Sequence, residues 1–337
     1  MATDAKVITE EAAPKTSAPA PKRHGRRISG GAASLHLEYP PQTQPIKILW
    51  PYAISICGLH AIALTLFIPS VFGYLFSWTG VVLLLLGLYV FGTLGINLCY
   101  HRLLTHTSAQ VPKWLEHVFA ILGICCLEDT PARWVAIHRL HHKDSDEQDD
   151  PHSPLVNFFW GHCGWLMVEN RGVNNMSTYD RYARDILRDP FYFRMEKKLM
   201  WFWIYVAHAA VFYIAGFVAG WWTTGTVSGG ARFGLSLLMW GVVLRTIAVW
   251  HITWSVNSVT HVWGYQNYDT GENSKNNWIV GLISNGEGWH NNHHADQRSA
   301  AHGHRWWEFD VTYRTITFLK LVGLAKDVVR PKYLKNG

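Results

Sequence analysis

Four apolar runs, at about 48–68, 79–100, 199–221 and 233–256, limit what this protein is able to become more than any other feature. Each approaches the ~20 residues a helix needs to cross a hydrocarbon core. Backbone N–H and C=O groups inside that core must be paired within their own segment, so such runs are read as helices. Short connections, 69–78 and 221–232, predict two helical hairpins. A fifth run, Trp114 to Leu127, is too short to cross and is expected to lie along the interface. Composition agrees with an all-α integral membrane fold: 18 Trp and only 16% charged residues, where soluble domains carry roughly 25%.

Residues 1–45, rich in Ala, Pro, Ser, Gly and Lys, read as a disordered basic tail, and 46–337 as one membrane domain. The basic cluster Lys22 to Arg27 is followed by no apolar stretch over 28–39, so a cleaved signal is not expected. Of 30 Lys and Arg, 7 precede the first run, 12 lie between the second and third, and 9 follow the fourth. That asymmetry predicts both termini and the segments 101–198 and 257–337 on the cytoplasmic face. The net charge of +6 thus reflects topology, and no nucleic-acid partner is expected. Five cysteines without C-x-x-C spacing are read as free thiols.

Nineteen histidines are present, and their grouping is informative. His101 and His106 end the second run. His138, His141 and His142 follow in the central segment, and His290, His293 and His294 lie after the fourth run. Asn257 and His261 form a further pair. On a helix, positions i, i+3 and i+4 fall within about 100° of one another, so each H-x-x-H-H group shares a face, as do Asn257 and His261. His101 and His106, five apart, would splay by about 140°; they require a bent or ending helix, or approach from different sides. Nine imidazoles exceed one ion's needs, and two ions with four or five nitrogens each would use them all. Imidazole alone does not select the metal.

The stretches HRLHHKDSDEQDDPHSP (138–154), NSVTHVWGYQNYD (257–269) and GEGWHNNHH (286–294) resemble the membrane fatty-acyl desaturases, in particular the Δ9 branch that includes stearoyl-CoA desaturases. The resemblance covers everything after the tail. It implies four transmembrane helices under a cytosolic helical cap holding a di-iron site. The implied iron ligands are His101, His106, His138, His141, His142, His261, His290, His293 and His294, with Asn257 acting through a water. It further implies two Fe ions, O2 as co-substrate and a bent acyl tunnel. The reaction implied is a cis double bond, most simply Δ9, in a C16–C18 acyl group delivered as acyl-CoA or acyl-lipid. A C–H bond in the middle of an alkyl group is not acidic, so histidine acid–base chemistry does not break it, whereas iron with O2 does. No His-Pro-Gly-Gly motif of a fused cytochrome b5 occurs. A separate electron donor of cytochrome b5 or ferredoxin type, with its reductase, is therefore expected. The membrane is the bacterial inner membrane or the endoplasmic reticulum.

Secondary expectations follow. Nine carbons beyond the metals extend roughly 11 Å, or about seven to eight helical residues. Measured down the second run from His101, that depth places the tunnel's end near Leu94, with Val90 and Tyr89 one turn on. Trp254, one turn before Asn257, is expected to wall the tunnel. Asp150 is expected to orient a ligand imidazole, and Asp144, Asp146, Glu147 and Asp149 to form a solvated loop. Arg245, costly in lipid, should face the protein interior or snorkel to the interface; the resemblance implies that it helps hold the cap or the acyl head group. Gly286 and Gly288 around Glu287 mark either a turn or a close backbone approach. Two rivals remain: a di-iron membrane hydroxylase or ketolase, and a histidine-rich metal transporter or sensor. The second predicts ionisable residues near mid-membrane, whereas these ligands gather at one face.

Overall fold

The computed structural model describes residues 36–334. Residues 1–35, most of the expected tail, lie outside the described residues. Residues 36–45, grouped with the tail by composition, are instead held against the central segment. Leu37 N–H bonds Leu155 O at 3.0 Å, Gln42 donates to Asp149, and Thr43 is buried. Their polar groups find partners there that composition alone does not reveal.

Regular structure among the described residues is helical, with only isolated bridges of extended backbone. Four helices are long and apolar enough to cross a membrane: Trp50–Phe67, Trp78–Thr105, Met200–Thr224 and Val227–Val262. Pro51 stands in the first turn of the first, where its missing N–H costs nothing. Ser77 Oγ caps the second, accepting from Gly80 N–H at 3.0 Å. The third ends on Gly225 at φ +68, and Thr226 at once caps the fourth through Gly229 N–H. That left-handed glycine lets two long helices turn within a residue or two. The third and fourth then pack backbone to backbone: a Cβ on Gly216 would meet Gly234 Cα at 2.8 Å, and one on Gly220 would meet Gly229 O at 2.6 Å.

The expected short run forms the helix Lys113–Ile124, which buries Leu115, Phe119 and Ala120 and exposes Trp114 and Val118. Its Gly123 lies against Gly95 of the second long helix, where an added Cβ would sit 2.3 Å from backbone nitrogen. This contact anchors the main core, which joins Ile96, Tyr100 and Leu104 to Phe119, Val135 and Ile316. The core thus ties the C-terminal end of the second helix to the segments that carry the remaining histidines. Arg245 is fully buried; its guanidinium donates to Cys125 O at 2.8 Å and lies 4.2 Å from the Phe91 ring. It holds the turn that follows Lys113–Ile124.

The second long helix departs from expectation. From Leu88 to Thr105 it is a π-helix, and His106 N–H bonds His101 O five residues back at 3.2 Å. A π-turn stacks residues five apart along one face. His101 and His106, which a continuous α-helix would splay, therefore face the same way with ring centroids 4.8 Å apart.

Candidate metal centre

Four elements bring nine imidazoles together. The π-helix supplies His101 and His106. Helix Pro131–Asp144, capped by Thr130 with Pro131 at its first position, supplies His138, His141 and His142. The fourth long helix supplies His261 in its last turn, and the short helix His290–Ala295 supplies the rest. All nine are buried or nearly so.

They form two sets. His101, His106, His138, His142 and His293 offer nitrogens all within 4.8 Å of one another, and so do His141, His261, His290 and His294. The two H-x-x-H-H groups divide reciprocally. His138 and His142 enter the five-membered set while His141 enters the other; His290 and His294 enter the four-membered set while His293 crosses over. Neighbouring helical positions diverge by about 100°, so each short helix lies between the sets and serves both.

The nitrogens are poor hydrogen-bond partners for each other. Nε2 atoms meet at 3.1 Å (His101–His293), 2.9 Å (His293–His142) and 3.0 Å (His142–His138). In the second set His290 Nε2 lies 3.0 Å from both His261 and His294. The Nε2 atoms of His106 and His141 are buried without a partner. Carboxylates explain this inward crowding of lone pairs. His101 Nδ1 donates to Glu287 at 2.6 Å, His141 Nδ1 to Asp150 at 3.0 Å and His261 Nδ1 to Asp146 at 2.8 Å. Glu272 lies 3.4 Å from His294 Nδ1. A proton held at Nδ1 leaves Nε2 with an unprotonated lone pair aimed inward, the arrangement that orients metal-bound histidine. Nitrogens about 2.1 Å from an ion and at right angles lie about 3 Å apart, the spacing seen here.

Electrostatics point the same way. Burial, then neighbouring imidazoles, holds His138, His142, His290 and His293 well below the ordinary histidine range, so they stay neutral and able to ligate. Burial alone would raise the Asp146 carboxyl, yet the His261 imidazole beside it prevails and holds it below its usual range. Glu287 is likewise held down against burial, by Arg102 first and then His302 and His101. Arg102 is itself fully buried between Glu287 at 2.8 Å and Asp310 at 2.9 Å.

Several of these residues escaped the sequence reading. Asp146, expected in a solvated loop, is buried against His261 and also accepts from Asn273 N–H and Ser153 Oγ. Glu272, Arg102, Asp310 and His302 gave no signal beyond their proximity to the histidine groups. Glu287 had one, its two glycines. Gly286 takes φ +118, and a Cβ on Gly288 would lie 2.1 Å from Gly281 N, so the turn and the close approach both occur. Asp150 accepts from His141 Nδ1 at 3.0 and 3.1 Å.

A cavity of about 380 Å³ adjoins the centre. His101, His138, His290 and Asn257 form its inner end, and Ile56, Leu59, Trp250 and Trp254 continue its wall between the first and fourth long helices. Glu128 also lines it, accepting from Thr253 at 2.7 Å, and burial pushes its carboxyl up to about 8. Tyr89, Val90 and Leu94 are not among the lining residues. Tyr89 is partly exposed and bonds Thr315 at 2.9 Å, and Leu94 packs on the core. The depth estimate runs the acyl group down the second helix, whereas the cavity touches that helix only at Ile96, Asn97 and His101 and continues along the first and fourth.

The fatty acid desaturase family model matches residues 42–316. The chain belongs to the fatty acid desaturase family. It is 40% identical over 286 residues to an sn-1 stearoyl-lipid 9-desaturase of Anabaena variabilis, covering 85% of this chain and 95% of that one. It is 36% identical to an sn-2 palmitoyl-lipid 9-desaturase of a Nostoc species, covering 86% and 93%. It is 38% identical to an acyl-CoA 5-desaturase of Anemone leveillei, covering 87% and 86%. The desaturase is thus a membrane oxidoreductase of acyl chains, and the family implies iron and O2. The residues present fit iron: neutral imidazoles in two sets, lone pairs converging and Nδ1 protons held by carboxylates.

Proposed function

We propose that this desaturase introduces a cis double bond at Δ9 of a saturated C16–C18 acyl chain, using two iron ions and O2. The observation that carries the reading is the division of nine inward-facing imidazoles into five and four beside one apolar cavity. His101, His106, His138, His142 and His293 would hold one ion; His141, His261, His290 and His294 would hold the other. Asn257, half-buried at the cavity's inner end and one turn before His261, would hold a water on the second. Bound iron would activate O2, the oxidant that removes hydrogen from an unactivated methylene.

The protein's own residues do the rest. The carboxylates of Glu287, Asp146, Asp150 and Glu272 fix imidazole tautomer and direction. Trp254 and Ile56 exclude water and keep the acyl chain extended along the wall. Converting one acyl chain and O2 to an alkene and two waters consumes two external electrons and two protons. A separate donor of cytochrome b5 or ferredoxin type delivers the electrons. The distribution of Lys and Arg favours both termini and the centre on the cytoplasmic face.

The test is metal content against turnover. His142→Ala and His294→Ala, one from each set, should each lower bound iron and abolish turnover while inserting normally. An active protein with one iron per molecule, or full turnover in either variant, contradicts the assignment.

A further inference from the structure

Each double bond consumes two protons at a centre enclosed by buried side chains, so some residue must carry them in. The nine imidazoles are committed as ligands under the desaturase reading, on which this inference rests.

Most titratable groups around the cavity are already engaged. Asp129 lies 2.7 Å from Arg133 Nε and accepts from Tyr52 at 2.9 and 3.0 Å. Glu287 is ion-paired with Arg102 and receives His101. Tyr205 bonds Thr246 at 3.3 Å, and burial pushes the Cys126 thiol up. His152, stacked 4.4 Å from His141, is pushed down to about 3 and stays neutral.

Glu128 is the exception. Among the described residues it forms no ion pair, and burial pushes its carboxyl up to about 8, so it is protonated at neutral pH. Thr253 Oγ donates to one oxygen at 2.7 Å and Trp134 Nε1 to the other at 3.4 Å. Both bonds are donated to Glu128, which leaves its own O–H to face the cavity it lines. The same two donors stabilise the carboxylate once that proton has gone. An acid so balanced gives up a proton near neutral pH and recovers it.

The backbone is bent to place it. Leu127 and Asp129, on either side, take φ +54 and +81, a left-handed conformation that non-glycine residues adopt at a cost. Thr253 stands one turn before Asn257, and Trp134 one turn before His138, with whose ring it stacks at 4.9 Å. Glu128 therefore lies about one helical turn, about 6 Å, from the metal-facing positions of two separate helices.

We propose that Glu128 is a catalytic residue, the acid that passes protons to the oxygen being reduced. An external one-electron donor supplies two electrons, the acyl chain loses two hydrogens, and both oxygen atoms leave as water, taking up two protons. Glu128 gives these one at a time across the cavity's inner end, breaking its O–H bond each time, and recovers each from solvent.

Infrared spectra of the iron-loaded protein in detergent test the acid itself. Raising the pH should remove one protonated-carboxyl band with a midpoint near 8, and Glu128→Gln should lack that band. In membranes of a desaturase-deficient host given NADH, turnover should fall about tenfold per pH unit above that midpoint. Glu128→Gln should lower turnover at pH 7 about 100-fold. It should also flatten the alkaline limb and release peroxide from O2 no longer carried to water. Thr253→Val, which removes one donor to the carboxylate, should move band and limb to higher pH. Protein level and bound iron, measured alongside, should match the unaltered protein. A residue that only shaped the cavity would alter chain length or bond position and leave the limb in place. A limb that persists in Glu128→Gln, or a band that survives the substitution, overturns the proposal. An unaltered protein that makes no double bond in the host fails the desaturase reading and the catalytic role with it, while the band still reports whether Glu128 is an acid.

Discussion

Exchanging Glu287 for Gln separates the two halves of the centre. Glu287 receives His101 Nδ1 at 2.6 Å, two Arg102 nitrogens at 2.8 and 3.2 Å, and lies 3.2 Å from His302. Glutamine keeps the shape and loses the charge, so His101 is no longer held in the tautomer that points Nε2 inward. Losing such an outer partner typically lowers metal affinity about 10–100-fold, or about 1.4–2.7 kcal/mol. Arg102 keeps Asp310 and Ala300 O, so the stability cost should fall below the about 3–5 kcal/mol of a fully orphaned buried charge. Asp146→Asn makes the matching change under His261, in the other set. Iron retained per molecule is measured across a chelator titration for both variants and their double. Each single variant should release one ion at about 10–100-fold lower chelator and keep the other; the double should release both. A double variant that still holds one ion as tightly as the unaltered protein would mean that the two carboxylates serve a single ion, and the division into five and four would be wrong.

Two further outcomes follow from the geometry. His152 and His302, both fully enclosed, are pushed down to about 3 and about 4, by burial first and then by His141 and Arg102 respectively. Below about pH 6.5 the unfolded state takes up protons that the native state refuses, so stability present above 6.5 drains away as pH falls towards 3–4, by about 2 kcal/mol per group at pH 5. Thermal unfolding of the metal-free protein in detergent should show a melting temperature that drops between pH 7.5 and pH 5; a flat profile contradicts this. For topology, cysteines replacing Glu147 and Gln297, both exposed, should be labelled from one membrane face and a cysteine at Ser228 from the other. Opposite labelling of Glu147→Cys and Gln297→Cys would break the four-span arrangement.

Hydropathy located the four long helices because apolar runs of that length have few alternatives, although the second and fourth run further than their apolar cores. The fourth reaches Val262 and carries His261 into the centre on its last turn. The nine histidines were legible because their spacing repeats. Their division was not, because it depends on where two short helices lie between the sets, and sequence spacing describes only one helix at a time. The π-helix between Leu88 and Thr105 was also hidden, since a hydrogen bond that skips five residues leaves no compositional mark. The same stretch carries no signal for the tunnel: a helix apolar all round offers no face to choose, so depth alone points to Tyr89, Val90 and Leu94. Asp146 and Glu272 were missed because they reach His261 and His294 only through folding of distant loops.

The most direct test of the central claim is the product itself. A host lacking its own desaturases, expressing this protein, is analysed for fatty-acyl species by mass spectrometry with double-bond localisation. Monounsaturated C16 and C18 chains with the bond between carbons 9 and 10 should appear, and should be lost in His142→Ala. Hydroxylated chains, a bond at another position, or no new product from well-expressed, iron-loaded protein would contradict that claim.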